Sequence, residues 1–222
     1  MSGDDVNLIA KGNINNGANI VAVYDVVLNS GASVTNKGKI QATNGSVDLD
    51  ATLNVNNEVL SEGFGIIAND DIFITAWKGN VTNKGNIYSK DGDVVLDAGL
   101  VYVTENNNDT TGVHNVTNTG SIKADNGDVT ITSHNGNVHN SADIIAQTGN
   151  VFISAYQHKG YNGATSNDIG NITNDGAGDI AILGQGNILL NADNDINNTD
   201  DFYTVNGNIT IEANGNVVNG DG

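Results

Sequence analysis

The stretch Val81-Thr82-Asn83-Lys84-Gly85-Asn86-Ile87, followed by Val94-Val95-Leu96-Asp97-Ala98, decides the fold of this chain. The same two blocks recur in copies that start at Val34 and at Val116. Each copy has the pattern V-x-N-x-G-x-I-x-A, then a turn that contains glycine, then V-x-L-x-A, with Ser replacing Ala in places. Such a repeat indicates a solenoid, because one unit cannot bury its own apolar face and needs similar neighbours.

Weaker copies extend the repeat over the whole sequence. They begin at Ile14, Val55, Val138, Ile172, Ile196 and Val217. Alternate residues of a strand point to opposite sides, so Val94, Leu96 and Ala98 are expected to face the interior. The spacing between copies varies because of two long insertions, residues 99–112 and 156–170.

These features predict an all-β fold with a single domain over residues 1–222. We expect a right-handed, single-stranded parallel β-helix of about nine coils, one for each copy of the repeat, with two long loop insertions. The right-handed sense rests on the general preference for right-handed parallel crossovers. The repeat is in frame at both ends without a capping pattern, so we also expect the chain to be an excerpt of a longer solenoid.

One column of the repeat is polar although it belongs to the predicted interior. Two residues after the start of each coil stands an asparagine: Asn16, Asn36, Asn57, Asn83, Asn118, Asn140, Asn174, Asn198 and Asn219. Amides stacked about 4.8 Å apart can hydrogen-bond to one another along the whole axis. We therefore expect a structural Asn ladder at an interior corner. The alternative is a row of asparagines that bind a ligand.

The chain is strongly acidic, with 26 Asp and Glu residues against 8 Lys, no Arg and a formal net charge of −18. Such a surface repels phosphate backbones and acidic lipid headgroups, which argues against nucleic acids and membrane surfaces as partners. No apolar run is long enough to cross a bilayer, so we expect no membrane insertion.

The segments Gly79-Asn80-Val81-Thr82-Asn83-Lys84-Gly85-Asn86-Ile87 and Gly127-Asp128-Val129-Thr130-Ile131-Thr132 resemble the repeats of filamentous haemagglutinin and related exoproteins of two-partner secretion systems. The resemblance covers nearly the whole chain apart from the insertions. It implies a long β-helical fibre that passes an outer-membrane transporter of a Gram-negative bacterium and serves as an adhesin, a haemagglutinin or the stalk of a contact-dependent toxin. The secretion domain of that family usually carries Asn-Pro motifs. This chain has no Pro, so the resemblance places it in the shaft.

The outward face of the V-x-L-x-A strands is the predicted binding surface. Its large apolar residues are Phe73, Val95, Phe152 and Leu189. The insertions carry aromatic residues that suit sugar stacking, namely Tyr102, Tyr156 and Tyr161. Two interpretations stay open: the insertions fold over these apolar residues, or a groove between them takes a glycan or a peptide.

Catalysis and metal binding have weaker candidates. Asp48, Asp50 and Asp97 point outward in a loose row, which favours solvated carboxylates over a hydrolase site. A weak calcium site is one interpretation of Asp193, Asp195, Asp200 and Asp201, and solvated turn carboxylates are the other. The four His residues lack the spacing of metal ligands and are expected at the surface. We expect no enzyme activity, and no cofactor apart from this weakly bound calcium.

Three functions remain at this point. The first is a structural shaft, with or without adhesive sites, in a secreted or surface-attached bacterial adhesin. The second is a dedicated module that binds a host-cell glycan or surface protein. The third is a polysaccharide-degrading enzyme built on a β-helix. The uniformity of the repeat favours the first, and the two insertions give the second its support.

Overall fold

The computed structural model describes residues 1–58, 64–100, 112–157, 169–176 and 178–220. In these ranges the regular elements are 27 β-strands, which form three parallel sheets of nine strands each. The same ranges contain no helix that could cross a membrane. The chain visits the three sheets in turn, so each sheet contains every third strand, and one circuit forms one coil.

The strands of each sheet have the following bounds. Sheet 1 contains β1 (Ser2–Gly3), β4 (Ile20–Ala22), β7 (Ile40–Ala42), β10 (Phe64–Ala68), β13 (Asn86–Ser89), β16 (Ile122–Ala124), β19 (Ile144–Ala146), β22 (Ile180–Gln185) and β25 (Phe202–Asn206). Sheet 2 contains β2 (Val6–Ala10), β5 (Val26–Ser30), β8 (Val47–Ala51), β11 (Ile72–Ala76), β14 (Val94–Ala98), β17 (Val129–Ser133), β20 (Val151–Ala155), β23 (Ile188–Ala192) and β26 (Ile209–Ala213). Sheet 3 contains β3 (Ile14–Asn16), β6 (Val34–Asn36), β9 (Val55–Asn57), β12 (Val81–Asn83), β15 (Val116–Asn118), β18 (Val138–Asn140), β21 (Ile172–Asn174), β24 (Ile196–Asn198) and β27 (Val217–Asn219). This arrangement confirms the predicted parallel β-helix of nine coils.

Equivalent residues of successive coils lie side by side in the sheets. In sheet 2, Val94 pairs with Val129 and Leu96 pairs with Ile131, and all four side chains are fully buried. The inward face predicted from the alternation is therefore the observed one. A fully buried aliphatic side chain contributes roughly 2 kcal/mol. Neighbouring coils make this burial possible, because they cover the side chain from above and below.

The last coil shows how much of the burial comes from stacking. Ile209 and Val217 occupy interior positions of the repeat, yet they are 42% and 48% exposed. No further coil packs against them among the described residues. Each coil therefore buries part of the apolar side chains of the coil next to it, as expected for a solenoid.

The nine asparagines of the interior column form an unbroken ladder. The side-chain Nδ2 of each Asn donates to Oδ1 of the Asn in the following coil, with N···O distances of 2.7–2.9 Å from Asn16 through to Asn219. From Asn36 to Asn198 these residues are at most 1% exposed. Because the amides are buried and bonded to one another, they are not available to a ligand.

Glycine is required where the corners of adjacent coils approach most closely. A Cβ atom on Gly127 would lie 2.2 Å from the carbonyl oxygen of Gly92 in the preceding coil. At Gly79 the corresponding distance to the carbonyl oxygen of Leu53 is 2.3 Å. These contacts are with backbone, which cannot rotate away, so only a residue without a side chain fits.

Both insertions leave the stack at the same corner, between sheets 2 and 3. Gly99, with a φ of +78°, follows β14, and the chain resumes at Gly112 before β15. Tyr156 follows β20, and the chain resumes before β21 at Gly170, with a φ of +83°. Residues 101–111 and 158–168 lie outside the described residues. One equivalent corner, which joins β17 to β18, lies between the corners that carry the two insertions.

Replacing the ladder residue Asn118 by Ala is expected to lower the free energy of unfolding by about 1–3 kcal/mol, because Asn83 and Asn140 each lose a buried partner. Thermal and urea denaturation measure the change. Thr82→Val, on the outward face of the same sheet, serves as the control and should shift stability by less than about 0.5 kcal/mol. Equal stability of Asn118→Ala and the wild type would show that the ladder does not stabilise the stack.

The substitution Gly127→Ala should destabilise the protein by roughly 1–3 kcal/mol, because the coils must separate to admit the methyl group. Gly17→Ala is a matched control, since a Cβ atom at Gly17 would meet nothing within 4 Å. Urea midpoints of the two variants provide the comparison. If both variants unfold at the same urea concentration, the close approach at Gly127 is not a constraint.

Candidate functional site

A groove with a volume of about 420 Å³ runs across four coils on the outer face of sheet 3. Two parallel rows of polar side chains line it. The first, which we call the outer row, consists of Thr117, His139, Thr173 and Asn197. The second, the corner row, consists of Asn115, Asn137, Asn171 and Asp195. Sequence reasoning placed the candidate binding surface on sheet 2 and missed this groove.

The outer row follows directly from the repeat. Each member is the middle residue of a three-residue V-x-N or I-x-N strand, so its side chain points away from the interior. The four residues are paired in register across β15, β18, β21 and β24. Neighbouring strands lie about 4.8 Å apart, so the row presents one polar side chain for each such step along the axis.

Most side chains of the outer row have no internal partner. Among the described residues, the side chains of Thr117, Thr173 and Asn197 make no hydrogen bond. His139 is different, because its Nε2 lies 2.8 Å from Oδ1 of Asp175, and both side chains are 44% exposed. The groove therefore offers hydroxyl and amide groups that make no hydrogen bond within the described part of the chain.

The corner row is held in place by a second ladder. Oδ1 of Asn115 accepts the backbone N–H of Asn137 at 2.8 Å, and Oδ1 of Asn137 accepts that of Asn171 at 2.9 Å. The same link joins Asn171 to Asp195 at 3.1 Å. Equivalent bonds continue along the stack from Asn13 to Asn216. This side-chain-to-backbone ladder holds the row in position.

The sequence carries a signal for this second ladder. An Asn or Asp stands between a glycine and the first apolar residue of many strands, as in Gly79-Asn80-Val81 and Gly136-Asn137-Val138. The glycine admits the backbone of the preceding coil, and the side-chain oxygen of the Asn or Asp accepts a backbone N–H of the following coil. The motif occurs in both segments that resemble filamentous haemagglutinin repeats, as Gly79-Asn80-Val81 and Gly127-Asp128-Val129.

Both insertions return to the stack beside the groove. Gly170 directly precedes Asn171 of the corner row, and Gly112 precedes Asn115 by three residues. Tyr156, at the start of the second insertion, is 37% exposed, and its carbonyl oxygen accepts the backbone N–H of Gly136 at 3.2 Å. Its ring centroid is 6.2 Å from that of His134. An aromatic pair thus stands at the corner that leads into the groove.

The predicted binding surface on sheet 2 is divided into two parts. Phe73 is 39% exposed and pairs with Val95, while Phe152 pairs with Leu189. Thr130 lies between the two pairs, and Val95, Phe152 and Leu189 are only partly exposed. These four residues therefore do not form one continuous apolar patch. Tyr102 and Tyr161 lie outside the described residues.

Two outward carboxylates of sheet 2, those of Asp50 and Asp97, contact side chains of the next coil. Oδ1 of Asp50 accepts the indole N–H of Trp77. Oδ1 of Asp97 lies 2.9 Å from Nε2 of His134. Burial, and then the charge of Asp50, raise the pKa of Asp48. These contacts anchor the corner next to the insertions.

The four calcium candidates are not brought together. Strand β24 separates Asp193 and Asp195 from Asp200 and Asp201, which lie at the opposite corner of sheet 3. Asp193 accepts the backbone N–H of Gln157 at 2.8 Å, and Asp195 accepts that of Asn216 at 2.6 Å. In the part of the chain that the structure describes, no three His, Asp or Glu side chains converge as metal ligands.

The expectation that all four His residues lie at the surface is wrong for His114. This residue is only 8% exposed. Its backbone N–H donates to the carbonyl oxygen of Asn135 at 2.9 Å, and its ring covers Gly99. The first insertion creates this environment, because Gly99 leaves an open space that the imidazole fills when the chain returns.

A further polar cluster, on sheet 1, is closed on itself. The hydroxyl of Tyr88 donates to Oδ2 of Asp125 at 2.6 Å, and Nζ of Lys123 lies 2.7 Å from Oδ1 of the same carboxylate. The hydrogen bond to Asp125, and then burial, raise the pKa of Tyr88 to about 12. Burial opposes ionisation of Asp125, but the bonds from Lys123 and Tyr88 outweigh it and lower the pKa of this carboxyl group. The cluster has little bonding capacity left for a ligand.

Comparison with protein-family models, with curated proteins and with solved structures found no match for this chain.

Proposed function

We propose that this chain is a rigid β-helical shaft segment of a secreted or surface-attached bacterial adhesin of the filamentous haemagglutinin type. The parent protein would leave the cell through an outer-membrane transporter of a two-partner secretion system. The segment then either contacts a host-cell glycan or surface protein, or holds other parts of the protein away from the cell. We expect no catalytic activity from it.

The continuous Asn ladder is the observation that carries this proposal. Eight side-chain hydrogen bonds join all nine coils in one line. At about 4.8 Å per step, the ladder spans roughly 40 Å without a break. A coil cannot tilt or slide without breaking buried hydrogen bonds, so the stack behaves as a stiff spacer.

The surface also suits a spacer. The net charge of −18 keeps such a protein soluble and opposes unspecific association with other acidic surfaces. The two long insertions share one corner, between sheets 2 and 3. The resemblance of the repeat to filamentous haemagglutinin repeats is the reason for proposing an exoprotein of that type as the parent protein.

An exchange of shaft segments tests the proposal. Residues 1–222 replace nine consecutive coils in the shaft of a filamentous haemagglutinin-type exoprotein, which is co-expressed with its own transporter in a Gram-negative host. We expect the chimera to reach the cell surface in amounts close to those of the parent, because the coil geometry continues across both junctions. Surface immunolabelling and protease accessibility of a tag beyond the exchanged segment provide the measurement.

The matched control carries Asn118→Asp within the exchanged segment, which places a carboxylate in the ladder. It should reach the surface less efficiently than the unmodified chimera if an intact stack is needed. Retention of the unmodified chimera inside the cell, although the isolated chain folds, would contradict a role as shaft.

A further inference from the structure

We propose that the groove on sheet 3 binds a neutral, linear, β-linked glycan that lies along the helix axis. This inference rests on the proposed function, and it names the class of glycan that the shaft segment would contact and the site that would bind it. It rests on the spacing, the free hydrogen-bonding groups, the charge and the position of the groove.

The repeat distance of the groove fits a chain of sugars. Thr117, His139, Thr173 and Asn197 recur at about 4.8 Å from one strand to the next. Hexose units in an extended β-1,4-linked glycan advance by a comparable distance. Successive sugars of such a chain are turned by roughly half a turn, so the side chains of alternate coils can meet equivalent hydroxyls at every second sugar, and the weak contacts add up along the chain.

The bonding capacity of the groove fits sugar hydroxyls. A threonine hydroxyl donates one hydrogen bond and accepts two, and an asparagine amide both donates and accepts. Thr117, Thr173 and Asn197 have no other side-chain partner among the described residues, so a bound sugar replaces only water. The ladder under Asn115 and Asn171 keeps the neighbouring row in position, which reduces the entropy lost on binding.

The charge of the groove selects against acidic glycans. Among the residues that the structure describes, no lysine lines it, and Asp195 lies in its corner row. Asp175 stands beside His139 at its other side. With a net charge of −18 over the chain, uronic acids and sulfated sugars would be repelled. A neutral glycan is not subject to this electrostatic repulsion.

The fold also argues against a peptide as the ligand. Extended peptides bind by adding a strand to a free sheet edge, or by placing side chains in apolar pockets or against arginine clusters. The groove lies across β15, β18, β21 and β24, each of which is paired on both sides. Its two rows are polar, and the chain contains no arginine.

The two long insertions distinguish the coils of the groove from the other coils. They return beside Asn115 and Asn171, which belong to the first and third coils of the groove. Tyr156 is 37% exposed, and its carbonyl oxygen accepts the backbone N–H of Gly136, the residue before Asn137 of the corner row. A tyrosine ring offers an apolar face and a polar tip, which suits contact with a sugar ring at the side of the groove.

Calorimetric titration of the 222-residue chain with cellohexaose, chitohexaose and hexagalacturonate tests the proposal. We expect saturable binding of at least one of the two neutral hexaoses and none of hexagalacturonate. Thr173→Val removes one hydroxyl in the groove at nearly constant volume and should weaken binding about tenfold. Thr35→Val is the matched control, since Thr35 occupies the same position of the repeat on β6, outside the groove. Its affinity should equal that of the wild type.

One further variant completes the test. Phe152→Ser probes the alternative surface on sheet 2 and should leave binding unchanged. The proposal is overturned if neither neutral hexaose binds, if hexagalacturonate binds as tightly, or if Phe152→Ser rather than Thr173→Val removes binding. None of these results affects the exchange of shaft segments, so failure of the groove and failure of the shaft remain distinguishable.

Discussion

Hydrogen bonding between buried amides is the constraint on which the rest of this structure depends. A primary amide in the interior has donors and acceptors that water cannot reach, and leaving them unpaired costs about 1–3 kcal/mol. The partner available to Asn83 in the next coil is Asn118, at 2.7 Å. Each asparagine therefore requires another at the same place in the next coil. The requirement fixes the register of β12 and β15, and through the short corners it fixes the register of the other two sheets.

The variable parts of the chain are placed where they do not disturb this ladder. Both insertions open at the corner between sheets 2 and 3, after the apolar strand and before the next asparagine strand. At that corner the backbone is already held by the second ladder, in which Asn137 accepts the N–H of Asn171 at 2.9 Å. The stack can thus admit a long loop and still resume in register. The same corner borders the groove, so the two insertions lie next to the candidate binding site.

The fold could be predicted because its determinants are local and periodic. Val94, Leu96 and Ala98 alternate with outward residues, and Asn83 recurs in every copy of the repeat, so the inward face and the ladder follow from spacing alone. The second ladder also has a periodic signal in the sequence, as in Gly79-Asn80-Val81. The role of this Asn is to accept a hydrogen bond from the backbone of the next coil, so it cannot be inferred from one copy of the repeat alone.

The site was harder to predict because it depends on relations between coils. The groove lies where the outer row and the corner row run side by side on sheet 3. In the sequence, the apolar residues of sheet 2 are a more conspicuous candidate for a binding surface, but in the structure they are not continuous. The calcium candidates lie apart for a related reason. Asp195 and Asp200 are close in sequence, but β24 crosses a full face of the helix between them. His114 shows that a residue beside an insertion takes its environment from the returning chain rather than from the repeat.

The pH dependence of stability of Asn118→Asp, measured against Asn56→Asp, tests the central role of the ladder most directly. Asn56 is the outward, partly exposed middle residue of β9, whereas Asn118 is fully buried. Burial raises the pKa of a carboxyl group above its unfolded value of about 3.9, so the folded variant binds a proton that the unfolded chain releases. The stability of Asn118→Asp relative to wild type should therefore fall as the pH rises from about 5 to 8. Asn56→Asp should stay nearly constant relative to wild type over the same range. Identical pH profiles for the two variants would contradict the account, because they would show that the amide column is neither buried nor needed.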